Sequence, residues 1–205
     1  MGPEPAPRSY RERGPFQRGR SYTKSAMAGL RGDERRWIRG AQGGSLSDLE
    51  ALVREHWPRA YRAAYLVVHD GPAAEDIAQE AFLAAIRSLD RFDRRRPFGP
   101  WLHRIVVNRA IDWARARALR AEVGDGALAA VGEDGLAGDR VFSPPVVAAL
   151  AALSPEHRAV IVLRHLLEYT PGEIAELLEL PRGTVNSRLR RGLDELADRL
   201  EGESW

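Results

Sequence analysis

The 205-residue sequence contains no cysteine. Disulfides, cysteine metal sites and a thiol nucleophile are therefore excluded. Lysine is nearly absent too: Lys24 is the sole example, so 30 of the 31 basic residues are arginine. No apolar run approaches the roughly 18–20 residues that span a bilayer. The opening MGPEPAPRSYRERGPF lacks the apolar stretch of a secretory signal. A cytoplasmic, nucleoid-associated protein without membrane insertion is the expectation. Catalytic signatures are missing as well: no H-E-x-x-H, G-x-S-x-G or P-loop occurs. The histidines stand at 56, 69, 103, 157 and 165, and His165-Leu-Leu-Glu168 is a single pair where a helical metal site uses matched motifs. No catalytic residue, metal or cofactor is expected, and the chain does not read as an enzyme.

What is present is a soluble composition, 44% hydrophobic and 29% charged. The formal charge is only +2, yet the isoelectric point is about 9.3. Arginine keeps its charge and forks onto phosphate, which suits a polyanionic partner; a GC-rich genome would favour arginine equally. Residues 1–32, rich in Arg, Gly, Pro and Ser, show no repeating apolar face and read as a disordered basic extension. Met27 is either the true start, or 1–26 form a basic arm able to touch DNA.

From Asp33 the pattern is helical. DERRWIRGAQ makes a short helix with Asp33 as its cap and Gly43-Gly44 as its end. Ser47-Asp-Leu-Glu50 reads as a capping box. Behind it Leu49, Leu52, Val53, Trp57, Ala60, Tyr61, Ala64, Tyr65 and Val68 recur at three- and four-residue steps, with Pro58 predicted to kink the helix. Pro72 opens a second helix to about Leu89, and Pro100 a third to about Arg120, on which Arg104, Asn108, Asp112 and Arg115 share a polar face. The first module is thus a helical bundle over 33–120. Residues 121–144 hold five acids, five glycines and one arginine, the composition of a flexible acidic linker long enough that the modules need not touch. The second module, 145–205, is helical again. Ser154-Pro155 starts one helix, and Thr170-Pro-Gly-Glu173 is a full capping box for a short one. Pro181 starts the last, with a predicted stripe of Val185, Leu189, Leu193, Leu196 and Leu200.

The fold class is therefore all-α, two small helical domains on a tether. Two capped helices joined by a short turn, the second with four arginines and no acid over 182–191, form a helix-turn-helix plan. Arg182, Asn186 and Arg190 lie four apart on one face, beside Gly183 and Ser187. Arg forks onto guanine and Asn onto adenine, while Thr184, Arg188 and Arg191 suit phosphates.

The run Ala74-Glu-Asp-Ile-Ala-Gln-Glu-Ala-Phe82, followed by Phe98-Gly-Pro-Trp-Leu-His-Arg-Ile105 and Asn108-Arg-Ala-Ile-Asp112, resembles the second conserved region of extracytoplasmic-function (ECF) sigma factors of the sigma-70 family. Leu153-Ser-Pro-Glu-His-Arg158 and Leu180-Pro-Arg-Gly-Thr-Val-Asn-Ser-Arg-Leu-Arg-Arg-Gly192 resemble their fourth. The resemblance covers nearly all of 33–200 and implies an initiation factor that binds core RNA polymerase, selects promoters and promotes melting. It implies that Glu75, Asp76, Gln79 and Glu80, with Leu83 as apolar anchor, meet the clamp helices of the largest polymerase subunit, the flap being a second contact. It also implies that Arg94, Arg95, Arg96, Arg104 and Asn108 handle an unpaired −10 strand, which needs a basic track and a place for an extruded base. Trp101 and Trp113 are assigned to the core. The helix-turn-helix takes the −35 duplex. Relatives are commonly held by an anti-sigma factor, and the chain is expected to be a monomer when free or 1:1 with a partner. The acidic linker either imitates nucleic acid in the RNA-exit path or is a plain tether. The rival reading is a stand-alone helix-turn-helix repressor or activator, which would bind its operator without polymerase.

Overall fold

A computed structural model of the chain describes residues 32–122 and 143–202. Among them there are eight α-helices and no strand. The predicted 1–32 extension, save its last residue, and most of the predicted linker lie outside the described residues.

Helix α1 (Gly32–Gln42) begins one residue ahead of the expected cap, so Asp33 sits in its first turn. Helix α2 (Leu46–Val68) is capped by Ser45, not by the predicted Ser47 box: the Ser45 hydroxyl accepts from the Asp48 N–H at 3.3 Å. Gly44, at φ 88°, turns the chain just before that cap. Glu50, freed from a capping role, pairs with Arg54 one turn on at 2.8 Å. Pro58 lies within α2. Helix α3 (Gly71–Ser88) starts on Pro72 with Asp70 as cap, accepting from the Ala73 N–H at 3.0 Å, and a 3₁₀ turn over Leu89–Arg91 follows. Helix α4 (Phe98–Glu122) completes the first bundle.

Helix α5 (Pro144–Ala151) opens the second module, followed by α6 (Pro155–Ile161), whose Ser154 cap accepts from the His157 N–H. One π turn, Val162–Leu166, widens the end of α6. Helix α7 (Pro171–Leu178) carries the expected box in full: the Thr170 hydroxyl accepts from the Glu173 N–H, and the Glu173 carboxylate accepts from the Thr170 N–H at 2.8 Å. Helix α8 (Arg182–Gly202) ends the described chain.

The two modules pack together, with α2 and α4 against α6, α2 also against α5, and α4 against α7. One hydrophobic cluster runs through both. This explains why α2 is buried more fully than its stripe predicts: Ala63, Leu66 and Val67, off the periodic face, are also fully buried. The last helix is rotated slightly from its expected phase. Leu193 is 39% exposed, and Gly192 takes the inner position instead. A Cβ on Gly192 would lie 3.0 Å from Ile161 Cδ1 and 3.1 Å from His157 Cβ, so the helices approach through the missing side chain.

Candidate nucleic-acid interface

Three surfaces carry the residues singled out in the sequence. On α3, Glu75, Asp76, Gln79, Glu80 and Leu83 are all exposed, and their three- and four-residue spacing puts them on one outer face. Ile77, Ala78, Ala81, Phe82 and Ala85 fill the opposite, buried side. Leu83 is 51% exposed, an apolar residue standing in an acidic field. Gln79 donates to Glu75 at 3.3 Å, and Glu80 pairs with Arg109 of α4.

The second surface is the 93–97 loop with the polar side of α4. Arg94 and Arg95 are exposed and Arg96 half-buried. Asp93 shapes the loop: its carboxylate accepts from the Arg95 N–H at 3.0 Å, and its carbonyl from the Arg96 N–H at 2.9 Å. Gln42, which the sequence did not flag, braces the loop from α1. Its amide donates to the carbonyls of Leu89 and Phe92, each at 2.9 Å. Below the loop Phe92, Phe98 and Trp101 form an aromatic box, with Phe92 and Trp101 centroids 4.6 Å apart. Trp101 is buried, as expected. Trp113 is half-buried against the core, with the Arg117 guanidinium 5.1 Å from its ring centre.

Arg104 does not join the loop arginines in solvent. Its side chain is 16% exposed and reaches across to Glu179 of the second module at 2.7 Å. Asn108, one turn on, is half-buried, and Arg115, at the far end of the same polar face, bonds Glu156 at 2.6 Å. Burial opposes charge on Glu156, but the Arg115 hydrogen bond and the charges of Arg115 and Arg188 outweigh it and hold the carboxyl below its ordinary range.

The third surface is the helix-turn-helix. Leu180 N–H returns to the Ala175 carbonyl at 2.9 Å, and Glu179 holds the turn at φ 56°. Val185 and Leu189 seat α8, leaving Arg182, Gly183, Asn186, Arg190 and Arg191 exposed. Thr184, Ser187 and Arg188 are half-buried. The Ser187 hydroxyl is turned inward, donating to the Thr184 carbonyl at 3.1 Å.

Two buried histidines lie where the modules meet. Burial, then the charges of His56 and Arg59, push His103 down to about 3, and its Nδ1 meets the Tyr169 hydroxyl at 2.8 Å. Burial, then the Arg158 charge, lower His69 to about 4 against the pull of the Leu66 carbonyl. Arg158 itself is brought down to about 10 by burial. The pairings of Tyr169, Glu156 and Glu179 had no sequence signal, because their partners lie in the other module. Among the described residues, no three His, Asp or Glu side chains gather as a metal site would require.

Comparison with known proteins matches residues 52–120 to the Sigma-70 region 2 family and residues 145–196 to the Sigma-70, region 4 family. ECF RNA polymerase sigma factor SigW of Bacillus subtilis is 34% identical over 169 residues, covering 73% of this chain and 87% of the relative. SigE of Mycolicibacterium smegmatis is also 34% identical, over 76% of this chain but only 62% of its own length. Among solved structures, CnrH in complex with the cytosolic domain of CnrY superposes with a TM-score of 0.63 at 28% identity, over 84% of this chain and 99% of the other.

Proposed function

The chain belongs to the extracytoplasmic-function sigma factors of the sigma-70 family, and from that premise we propose how its surfaces divide the work of directing RNA polymerase to promoters. Residues 33–120 act as region 2 and residues 145–205 as region 4, joined by 121–144. The α3 face of Glu75, Asp76, Gln79, Glu80 and Leu83 docks on the clamp helices of core polymerase. Its support is an apolar side chain left exposed among carboxylates, the composition of a protein-docking patch more than of a merely solvated helix. Arg94, Arg95, Arg96, Arg104 and Asn108 take the unpaired −10 strand and promote melting. Arg182, Asn186 and Arg190 read −35 base edges, with Gly183 and Ser187 beside them and Thr184, Arg188 and Arg191 toward phosphates.

The observation that carries this reading is the exposed Arg182–Asn186–Arg190 face on a helix braced by a fully capped α7, in one chain with the acidic α3 face. An anti-sigma protein is a further proposed partner, supported by the capture of the similar CnrH with a cytosolic protein segment. Run-off transcription with core polymerase and a promoter library tests the assignment. Arg182→Ala or Arg190→Ala is expected to relax upstream preference by about 1–3 kcal/mol at one base position. Asn108→Ala should slow strand opening while core affinity holds. Equal loss of core affinity in all three variants would overturn the assignment.

A further inference from the structure

Helix α1 lies ahead of the stretch matched to Sigma-70 region 2, which begins at residue 52, and its charges are sorted by flank. Glu34 and Ile38, both buried, mark the inner face. Steps of about 100° per residue then place Arg35, Arg39 and Gln42 on one flank, and Asp33 and Gly40 on the other. The second flank is the acidic one. There Asp48 of α2 comes so near that a Cβ on Gly40 would overlap its carboxylate, and Arg36 reaches Asp33 at 3.9 Å and Asp48 at 4.0 Å. On the first flank Arg35 and Arg39 are exposed, and neither has a carboxylate partner among the described residues. Gln42 closes that flank by donating to the carbonyls of Leu89 and Phe92, each at 2.9 Å, so the flank faces the turn that feeds the 93–97 loop. Exposed Arg91, Arg94 and Arg95 continue the row beyond this joint. Of the acids there, Asp93 is turned into the loop toward the Arg95 N–H, and Asp90 stays exposed.

We infer that the Arg35 and Arg39 flank of α1 is a second single-strand site, which takes the sugar-phosphate backbone of the unpaired strand where it leaves the 93–97 loop. The inference rests on the proposed −10 role of that loop. A helix face that is merely solvated mixes signs and pairs them one turn apart, as Glu50 and Arg54 do on α2. The α1 flank has cations alone, and guanidinium groups fork onto phosphate oxygens. Gln42 fixes the flank against the loop, so the two groups of arginines form one track; Arg35 stands seven residues, about 10 Å, from that joint. The −35 duplex lies upstream, so the strand that stays unpaired beyond the −10 element runs the other way, toward the transcription start. Trp37, the aromatic residue of α1, packs on the core and offers no platform for a base. The site therefore grips the backbone and reads no sequence.

The test uses the full chain bound to core polymerase and a promoter recovered from the run-off library, built as two fork templates. In one the unpaired strand stops at the end of the −10 element; in the other it continues for about 6 nucleotides, within the length a single-strand site tracks. The variant combines Arg35→Gln and Arg39→Gln, both exposed positions, and a thermal scan checks that the helices persist. It is expected to bind the short template as the parent does and to lose the affinity that the extension adds. On the long template the slope of log affinity against log salt should become shallower by about 1.4, two phosphates at about 0.7 each. Changing the bases of the extension should alter neither result. Arg94→Gln with Arg95→Gln is the loop control and should weaken binding to both templates. Parental affinity and salt slope of the α1 variant on the long template would overturn the inference and leave the loop's role standing. A fall in core affinity in place of the DNA loss would make the flank a protein contact and overturn it equally. A loop control without effect on either template would remove the −10 role of the loop, and the inference with it.

Discussion

At the position of Gly192 the interior leaves no room for a methyl group without displacing Ile161 and His157. Gly192→Val should destabilise the second module by about 1–3 kcal/mol, the usual effect of overpacking. Gly183, with nothing within 4 Å of its notional Cβ, is the contrast. Gly183→Ala should gain up to about 1 kcal/mol from helix propensity. Urea unfolding of the pair, measured together, separates packing from propensity. The same position marks a limit of reading by period: Leu193 fits a four-residue repeat with Leu189, yet the buried series is Val185, Leu189, Gly192, Leu196. A three-residue step at a glycine cannot be favoured over an apolar leucine without knowing how closely α6 approaches. Gln42 is a second case. Its amide satisfies two carbonyls 47 and 50 residues away, a pairing with no local sequence trace. Gln42→Leu should cost about 1–3 kcal/mol through the carbonyls left bare, seen as a lower unfolding midpoint.

Helix boundaries were legible where a short-range bond has one candidate partner. The Thr170–Glu173 box, the Ser154 cap and the Pro72 start depend on residues within one turn, and all occur as expected. The Ser45 cap was missed because Ser45 and Ser47 offer the same chemistry, and the choice is settled by the Gly43-Gly44 turn that delivers the chain. Thr170→Ala should remove about 1 kcal/mol, within a range of 0.5–2. Loss of the helix-turn-helix before the first bundle, followed by hydrogen exchange, would place that cost on α7. Of the candidate site, the exposed arginines and the acidic α3 face were readable from spacing, whereas the covering of Arg104 and Arg115 was not, since it depends on where a separate module comes to rest.

Across the whole molecule, the two buried histidines link stability to acidity. His103 and His69 are held neutral, at about 3 and about 4, against an ordinary 6.5. Around His103 stand His56 with its Glu34 partner, Arg59, Arg104 and Tyr169; around His69 stand Arg158, Tyr65 and Asp70. A state in which either ring reaches water binds a proton more readily than the packed state. The packed state is therefore fully favoured above about 6.5 and loses ground as pH falls from there toward 4. Between pH 7 and pH 5 the expected loss is on the order of 1–2 kcal/mol per ring, readable as a falling urea midpoint. His103→Gln should flatten much of that slope.

Asp70 has a mechanical consequence. One of its oxygens caps the start of α3 at 3.0 Å, and the other holds Arg117 near the end of α4 at 2.7 Å. A single carboxylate thus rivets the acidic helix α3 to the helix bearing Asn108, and the Glu80–Arg109 pair adds a second rivet farther along. Neither helix can slide past the other without shearing both fastenings. A pull on the exposed face of α3 would therefore be carried into α4 through these two fastenings, as through a stiff lever.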